Sequence, residues 1–68
     1  MAYTVVYSNH ARERMALRGI SSTEVEEAIR IGVKSRQDAR IVSTYRYFSV
    51  VYVLRRSRCY VITVKPRW

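Results

Sequence analysis

The chain has 68 residues, enough for one small domain with a single hydrophobic core, and we treat residues 1–68 as one domain. Thirteen Lys and Arg residues against five Asp and Glu residues give a formal net charge of +8, and hydrophobic residues make up 49% of the sequence. This hydrophobic content excludes a disordered tail, and the charge favours a polyanion such as nucleic acid over an acidic metabolite. The abundance of Arg can also reflect genomic composition alone.

The N-terminal half of the sequence predicts a short strand and two helices. Ser8 is a suitable N-cap for the first helix, and Gly19 stands where a C-terminal glycine would end it. The Ser21-x-x-Glu24 pattern is a capping box that predicts the start of the second helix, which Gly32 would close. The predicted bounds are 3–7 for a strand or extended lead-in, about 9–18 for the first helix and about 22–31 for the second.

The C-terminal half is rich in β-branched and aromatic residues, which favour strands. Strands are predicted at 33–37, 41–47, 48–56 and 59–65, with turns at 38–39 and 56–58. Connections this short make the strands antiparallel neighbours. The predicted fold class is therefore α+β, with two N-terminal helices packed on one face of a three- to four-stranded antiparallel sheet.

Both faces of the late strands carry bulky side chains. Strict alternation would point Tyr60, Ile62 and Val64 to one face and Cys59, Val61 and Thr63 to the other. One face covers the helices, so the other is either covered by a partner or forms a partly exposed platform rich in Tyr.

The first predicted helix carries a stripe of His10, Arg14 and Arg18 at i, i+4 and i+8. Because Ala11 and Met15 flank the stripe and face the core, we expect it at the core boundary, turned toward the sheet. The two guanidinium groups could hold a phosphodiester, and an imidazole suits proton transfer near neutral pH. An equally simple interpretation is structural, with the His bonded to a backbone carbonyl and the Arg stems packed on aromatic rings.

Hydroxyl groups of the adjoining strands could orient a ribose or donate a proton, and candidates are Tyr45, Tyr52, Tyr60 and Thr63. This chemistry needs no cofactor, and one His with five scattered acidic residues makes a poor metal site. We therefore predict neither a cofactor nor a metal.

A second basic group lies late in the chain, interleaved with aromatic residues that could stack on unpaired bases. Its cations are Arg55, Arg56, Arg58, Lys65 and Arg67, and its rings are Tyr45, Tyr47, Tyr60 and Trp68. The alternative is a solvated hairpin tip whose charges suppress edge-to-edge aggregation.

Features of secreted or membrane proteins are lacking in the sequence. Cys59 is the one cysteine, the N-terminus has no signal-peptide pattern, and no segment approaches the roughly 20 apolar residues of a membrane span. We expect a cytoplasmic protein with no membrane partner.

The motif S-x-H-A-x-x-R-M-x-x-R-G-I, from Ser8 to Ile20, resembles the opening motif of the domain of unknown function 4258 family. The capping box and a final strand like residues 60–64 match that family's plan. The family is similar in fold to the RelE/ParE group of toxins and to metal-independent ribonuclease domains of bacterial toxin systems. The resemblance implies catalytic roles for His10, Arg14, Arg18 and Thr63. RelE-like use of late-strand basic and Tyr residues adds Tyr60 to this set and Arg46 as a nucleic-acid contact.

Three functions remain open at the level of sequence. The leading one is an RNA-directed RelE-like toxin-type protein and candidate metal-independent endoribonuclease. The second is a non-catalytic nucleic-acid-binding module. The third is a protein-interaction domain, neutralised by an acidic antitoxin partner or forming a homodimer through the sheet, and ParE-like relatives act on a protein target.

Overall fold

The computed structural model describes residues 4–67, so the predictions for Tyr3 and Trp68 concern positions outside the described residues. Both helices are confirmed with the predicted bounds. In chain order the elements are β1 Thr4–Tyr7, α1 Asn9–Arg18, α2 Ser22–Ile31, β2 Val33–Gln37, β3 Arg40–Tyr45, β4 Phe48–Arg55 and β5 Arg58–Pro66.

The helix ends form where the capping residues stand. The Ser8 side chain accepts a hydrogen bond from the Ala11 N–H at 3.0 Å, and Gly19 ends α1 with φ of 67°, a left-handed conformation that glycine adopts without strain. At α2, the Ser21 hydroxyl accepts from the Glu24 N–H at 3.2 Å while the Glu24 carboxylate accepts from the Ser21 N–H at 3.0 Å. Side chains therefore satisfy backbone donors that each first turn would otherwise leave unpaired.

The sheet has five strands in the order β1-β5-β4-β3-β2, and it is mixed. Strands β2 to β5 pair antiparallel, as predicted, but β1 pairs parallel to β5, with Thr4 opposite Arg58 and Tyr7 opposite Val61. The prediction of three or four purely antiparallel strands was therefore wrong in strand number and in direction at one edge. Residues 4–7 indicate a strand by their side chains, but no local pattern indicates a partner at the far end of the chain.

A turn at Arg46-Tyr47 separates β3 from β4, whereas the sequence predicted strands running directly from 41–47 into 48–56. Neither residue is one of the Gly, Pro, Asn or Asp residues that usually mark a tight turn, which is why sequence patterns missed it. The turn at 38–39 is confirmed, and the turn predicted at 56–58 is confirmed at 56–57, since Arg58 already belongs to β5.

Both helices pack on one face of the sheet, called the helix face below, and the opposite side is called the outer face. The buried residues between helices and sheet are Ala11, Ile20, Val25, Ala28, Ile29, Phe48, Val50, Tyr52, Cys59, Val61 and Val64. The Ser43 hydroxyl on β3 donates to the Ala28 carbonyl, and the Gly32 N–H donates to the same carbonyl at 2.8 Å. A side chain at Gly32 would overlap Ser43 and Thr44, so the glycine allows α2 to end close against β3. No helix within residues 4–67 is long and apolar enough to cross a membrane.

Two ionisable side chains, the buried Cys59 and the half-buried Tyr7, make the fold sensitive to alkali. Burial raises the pKa of the Cys59 thiol from 9.0 to about 11. Burial and the Glu26 carboxylate raise the pKa of Tyr7 from 10.0 to about 12. In both cases the folded chain keeps a proton that the unfolded chain has already lost.

We therefore expect the free energy of unfolding to fall as the pH rises from 9 to 12, with Cys59 acting up to about pH 11 and Tyr7 between about pH 10 and 12. Urea unfolding followed by circular dichroism across this range measures the fall. The Tyr7→Phe variant should lose less stability between pH 10 and 12 than the parent. Identical pH slopes for the two proteins would contradict this account.

Candidate nucleic-acid interface

A β-bulge interrupts β5 near its middle. Thr63 lies opposite Val51 and Val61 lies opposite Tyr52, so Ile62 is an extra residue without a partner in β4. A bulge of this kind re-aims the side chains that follow it and recurs beside functional sites.

The bulge brings two predicted catalytic residues to the same face. Tyr60 lies opposite Val53 and Thr63 lies opposite Val51, and both valines point to the outer face of β4. The prediction of strict alternation, which put these two side chains on opposite faces, was therefore wrong beyond Val61. After the bulge, Lys65 opposite Ser49 continues the outer-face series. The outer face of β5 carries a row of four residues, Arg58, Tyr60, Thr63 and Lys65, which we call the β5 row.

Helix α1 is fixed to the bulge at its first turn. The Ser8 hydroxyl donates to the Ile62 carbonyl at 2.8 Å, and the Ser8 N–H donates to the Val61 carbonyl at 3.1 Å. Ser8 thus caps α1 and also satisfies the carbonyl of the bulged residue. Because His10 follows Ser8 by two residues, its backbone starts beside the bulge that positions Thr63.

The His10, Arg14 and Arg18 stripe lies on the side of α1 that is turned away from Arg12. Arg12 points to the helix face, where its guanidinium lies 6.0 Å from the centre of the Tyr7 ring. His10 is about 200° away from Arg12 around the helix axis, with the buried Ala11 between them, so it projects to the opposite side.

The stripe is less enclosed than predicted. Only Arg14 is half-buried, while His10 and Arg18 are exposed, so the expectation that the stripe turns away from solvent holds for Arg14 alone. None of the three side chains forms a hydrogen bond or an ion pair with another described residue, since the one ion pair within residues 4–67 joins Arg30 to Glu27 at 3.9 Å. The three remain available to a ligand.

The turn between β4 and β5 concentrates positive charge. Arg55 lies directly opposite Arg58 on the outer face, and Arg56 lies in the turn between them. All three are exposed and have no carboxylate partner among residues 4–67. Like charges opposite each other in a strand pair repel and destabilise the fold. A bound anion between them would relieve this repulsion. We call these three residues the arginine turn.

Within the β5 row, Tyr60 lies next to the arginine turn. The Arg58 guanidinium donates to the Tyr60 hydroxyl at 3.5 Å, and this hydrogen bond raises the pKa of Arg58. The ring is half-buried between Val53 on one neighbouring strand and Val6 on the other. Arg56, Arg58 and Tyr60 line one open depression, together with Leu54, Arg55 and Ser57.

Arg56 adopts a backbone conformation that does not suit an arginine. Its φ is 59°, in the left-handed region that side chains other than Gly, Asn and Asp rarely occupy. Holding a non-glycine residue there costs about 1 kcal/mol, and strain of this kind clusters at functional sites. Arg46, with φ of 56°, occupies the corresponding position of the β3–β4 turn.

The Arg56→Gly variant should therefore be about 1 kcal/mol more stable to urea than the parent, because glycine adopts this φ without strain. The same variant should bind RNA more weakly. Arg56→Lys keeps both the charge and the strain and is the matched control. Unchanged RNA affinity in the glycine variant would show that the Arg56 side chain does not contribute to RNA binding.

Three predicted nucleic-acid contacts lie at the other end of the sheet. Tyr45 points to the helix face, where its hydroxyl donates to the Glu27 carboxylate and its ring packs against Phe48; this hydrogen bond raises the pKa of Tyr45. The Arg46 guanidinium lies 5.1 Å from the centre of the Tyr45 ring, and the Arg67 guanidinium donates to the Arg46 carbonyl at 3.1 Å. The structure does not bring these three together with the arginine turn.

One further prediction, for Tyr52, is contradicted by its position in the core. Tyr52 is only 2% exposed within the core, so it cannot contact a ribose as the sequence suggested. No group of three or more His, Cys, Asp and Glu side chains in the described part of the chain could hold a metal ion.

Sequence reasoning missed the role of Ser8 in fixing α1 to the bulge and the strain at Arg56. The Ser8 contact joins residues far apart in the chain, and nothing local indicates it. The strain at Arg56 could have been predicted only from the presence of an arginine in a two-residue hairpin loop, where Gly or Asn is usual.

A search of solved structures identifies the class of fold. The chain is similar to one chain of the crystal structure of the toxin-antitoxin complex RelBE2 from Mycobacterium tuberculosis, with a TM-score of 0.66 and 15% sequence identity over 98% of this chain and 100% of that chain. The similarity confirms a RelE-like fold. The model of the domain of unknown function DUF4258 matches residues 7–65, and the chain belongs to that family, as its opening motif predicted. No curated protein matches the sequence.

Proposed function

We propose that this protein is an RNA-directed, RelE-like toxin-type protein of the cytoplasm that binds single-stranded RNA across the outer face of its sheet. The observation that supports this most is the arginine turn, where Arg55 faces Arg58 with no carboxylate partner among residues 4–67. A structural role would favour opposite charges at this pair, whereas a phosphate between the two guanidinium groups turns repulsion into attraction.

The shape of the surface favours a strand of nucleic acid over a small anion. A strand rises about 3.3 Å per residue, so the β5 row from Arg58 to Lys65 extends for roughly 20 Å, enough for several nucleotides. Cations at both ends hold phosphates, and the Tyr60 ring between them offers a stacking surface for an unpaired base. Duplex RNA offers no unstacked base for such a ring.

The proposal is tested by measuring the affinity for mixed-sequence single-stranded RNA over a series of salt concentrations. Several phosphate contacts predict a linear fall of log affinity with log salt, with a slope of about 0.7 per contact. Binding that does not change with salt, or no binding at low salt, would contradict the proposal.

Cleavage of the bound RNA is a second candidate function, favoured by the His10, Arg14 and Arg18 stripe, which has no hydrogen-bond or ion-pair partner within residues 4–67. In this reaction the 2′ oxygen of the RNA attacks the neighbouring phosphorus, and the bond from phosphorus to the 5′ oxygen breaks. One proton leaves the 2′-OH and one joins the departing 5′ oxygen, which yields a 2′,3′-cyclic phosphate and a 5′-OH end. No metal, oxidant or cofactor is needed to balance the step.

The stripe supplies the groups that this step needs. In this proposal His10 transfers a proton, and Arg14 and Arg18 stabilise the charge that develops on the phosphate oxygens. The Thr63 and Tyr60 hydroxyls, which lie together on the outer face, would orient the ribose. Without this step, the same surface describes a non-catalytic RNA-binding module.

A further inference from the structure

Strand β2 forms one edge of the sheet and is open along its whole length. All five of its residues are exposed, and no other described residue pairs with its free side. The strand pairs with β3 in an unbroken antiparallel register from Val33 opposite Thr44 to Gln37 opposite Arg40, without a bulge or a proline. An edge this regular presents backbone N–H and C=O groups on which another strand can form.

The charges on β2 select what can pair there. Lys34 and Arg36 point to the helix face, since they lie opposite Ser43 and Ile41, and neither has a carboxylate partner among residues 4–67. A second copy of this chain would bring its own cations against them, and the net charge of +8 adds to that repulsion. The same cations attract a strand with Asp or Glu at alternate positions.

Apolar surface at the start of β2 adds a second requirement. Ile31 is 54% exposed and Val33 is 78% exposed, and they are neighbours at the end of α2 and the beginning of the edge. Both line an open depression together with Tyr45, Arg46 and Arg67. A partner strand that places an apolar side chain in this depression would carry its acidic side chains further along the β2 edge.

We propose that the free edge of β2 binds an extended acidic segment of a partner protein, which adds to the sheet as a sixth strand. Backbone hydrogen bonds along the edge provide the affinity, Lys34 and Arg36 provide the preference for acidic side chains, and Ile31 and Val33 bind an apolar residue at one end. This edge is separated from the arginine turn by strand β3 and from the β5 row by strands β3 and β4. The inference therefore does not depend on RNA binding.

The probe for this edge is a short labelled peptide of alternating Val and Glu, titrated into the full chain at low salt and followed by fluorescence anisotropy. A peptide of alternating Val and Lys with the same length is the control and should not bind. Two further versions carry N-methyl groups on alternate amides, in opposite registers. One should lose binding because its methylated amides face β2, while the other should keep it. Equal binding by both methylated peptides, or by the Val-Lys peptide, would overturn the proposal.

Two charge-reversed variants then separate this edge from the RNA surface. Lys34→Glu combined with Arg36→Glu should weaken binding of the Val-Glu peptide at least about tenfold and leave RNA affinity nearly unchanged. Arg55→Glu combined with Arg58→Glu should do the reverse. If both variants lose affinity for the Val-Glu peptide equally, the peptide is attracted only by the net charge of the chain, and the proposed edge site is wrong. If neither variant affects RNA affinity, the RNA proposal fails while the edge site stands.

Discussion

Replacing Arg55, Arg56 and Arg58 with Gln lowers the affinity for single-stranded RNA about 100-fold at roughly 0.1 M salt, according to our account of the arginine turn. Each lost phosphate contact removes about 0.7 from the slope of log affinity against log salt, so three lost contacts remove about two units. The two effects come from the same released counterions, and both are measured in one salt series.

The same substitution should also make the fold more stable, because it removes the like charges that face each other across β4 and β5. Urea unfolding measures this change. A matched variant, Arg30→Gln with Lys34→Gln and Arg36→Gln, removes three cations from the helix side and loses one exposed ion pair and the exposed hydrogen bond from Lys34 to the Gly32 carbonyl. It should retain most of the RNA affinity. Equal losses of RNA affinity in the two variants would mean that binding depends only on net charge and that the outer face is not the RNA site.

His10→Ala is expected to lower the rate of RNA cleavage by about 10²- to 10⁴-fold, the usual effect of removing a proton-transfer group. RNA affinity should change little, because the arginine turn and the β5 row remain. The assay uses purified chain with mixed RNA in EDTA, and mass spectrometry identifies the 2′,3′-cyclic phosphate on the products.

Asn9→Ala is the matched control, since it changes the preceding exposed residue of α1 outside the stripe. It should cleave at the rate of the parent. Equal cleavage by His10→Ala and the parent would remove His10 from the reaction. A parent chain that leaves the RNA intact would remove the catalytic candidate and leave a binding module.

The helices were predictable because local residues determine them. Ser8, Gly19 and the Ser21/Glu24 box satisfy backbone groups within one turn, so their positions in the sequence give the helix bounds directly. The RelE-like fold and the family were also predictable, because a compact motif between Ser8 and Ile20 carries the resemblance.

The parts of the fold that depend on distant contacts were not predictable. The parallel pairing of β1 with β5 and the bulge at Ile62 join the two ends of the chain, and Ser8 bonds to the bulge from far along the sequence. Alternation of side chains assumes an unbroken strand, so one extra residue reversed the predicted face of Thr63.

For the candidate site, sequence patterns identified the kinds of residues but not which of them lie together. Tyr45 and Arg67 were grouped with the arginine turn because they are aromatic or basic and late in the chain, and the resemblance added Arg46 as a contact. The turn at 46–47 and the C-terminal end of β5 lie together at the opposite end of the sheet. Conversely, Tyr60 and Thr63 are on one face only because of the bulge.

The location of RNA on the protein is tested most directly by nuclear magnetic resonance, with an isotope-labelled chain titrated with a short unstructured RNA. Our account predicts that the largest chemical-shift changes fall on the amides of residues 55–60, 63 and 65, followed by the first turn of α1. Shift changes confined to β2 or to the Tyr45 end of the sheet, with residues 55–60 unaffected, would contradict it.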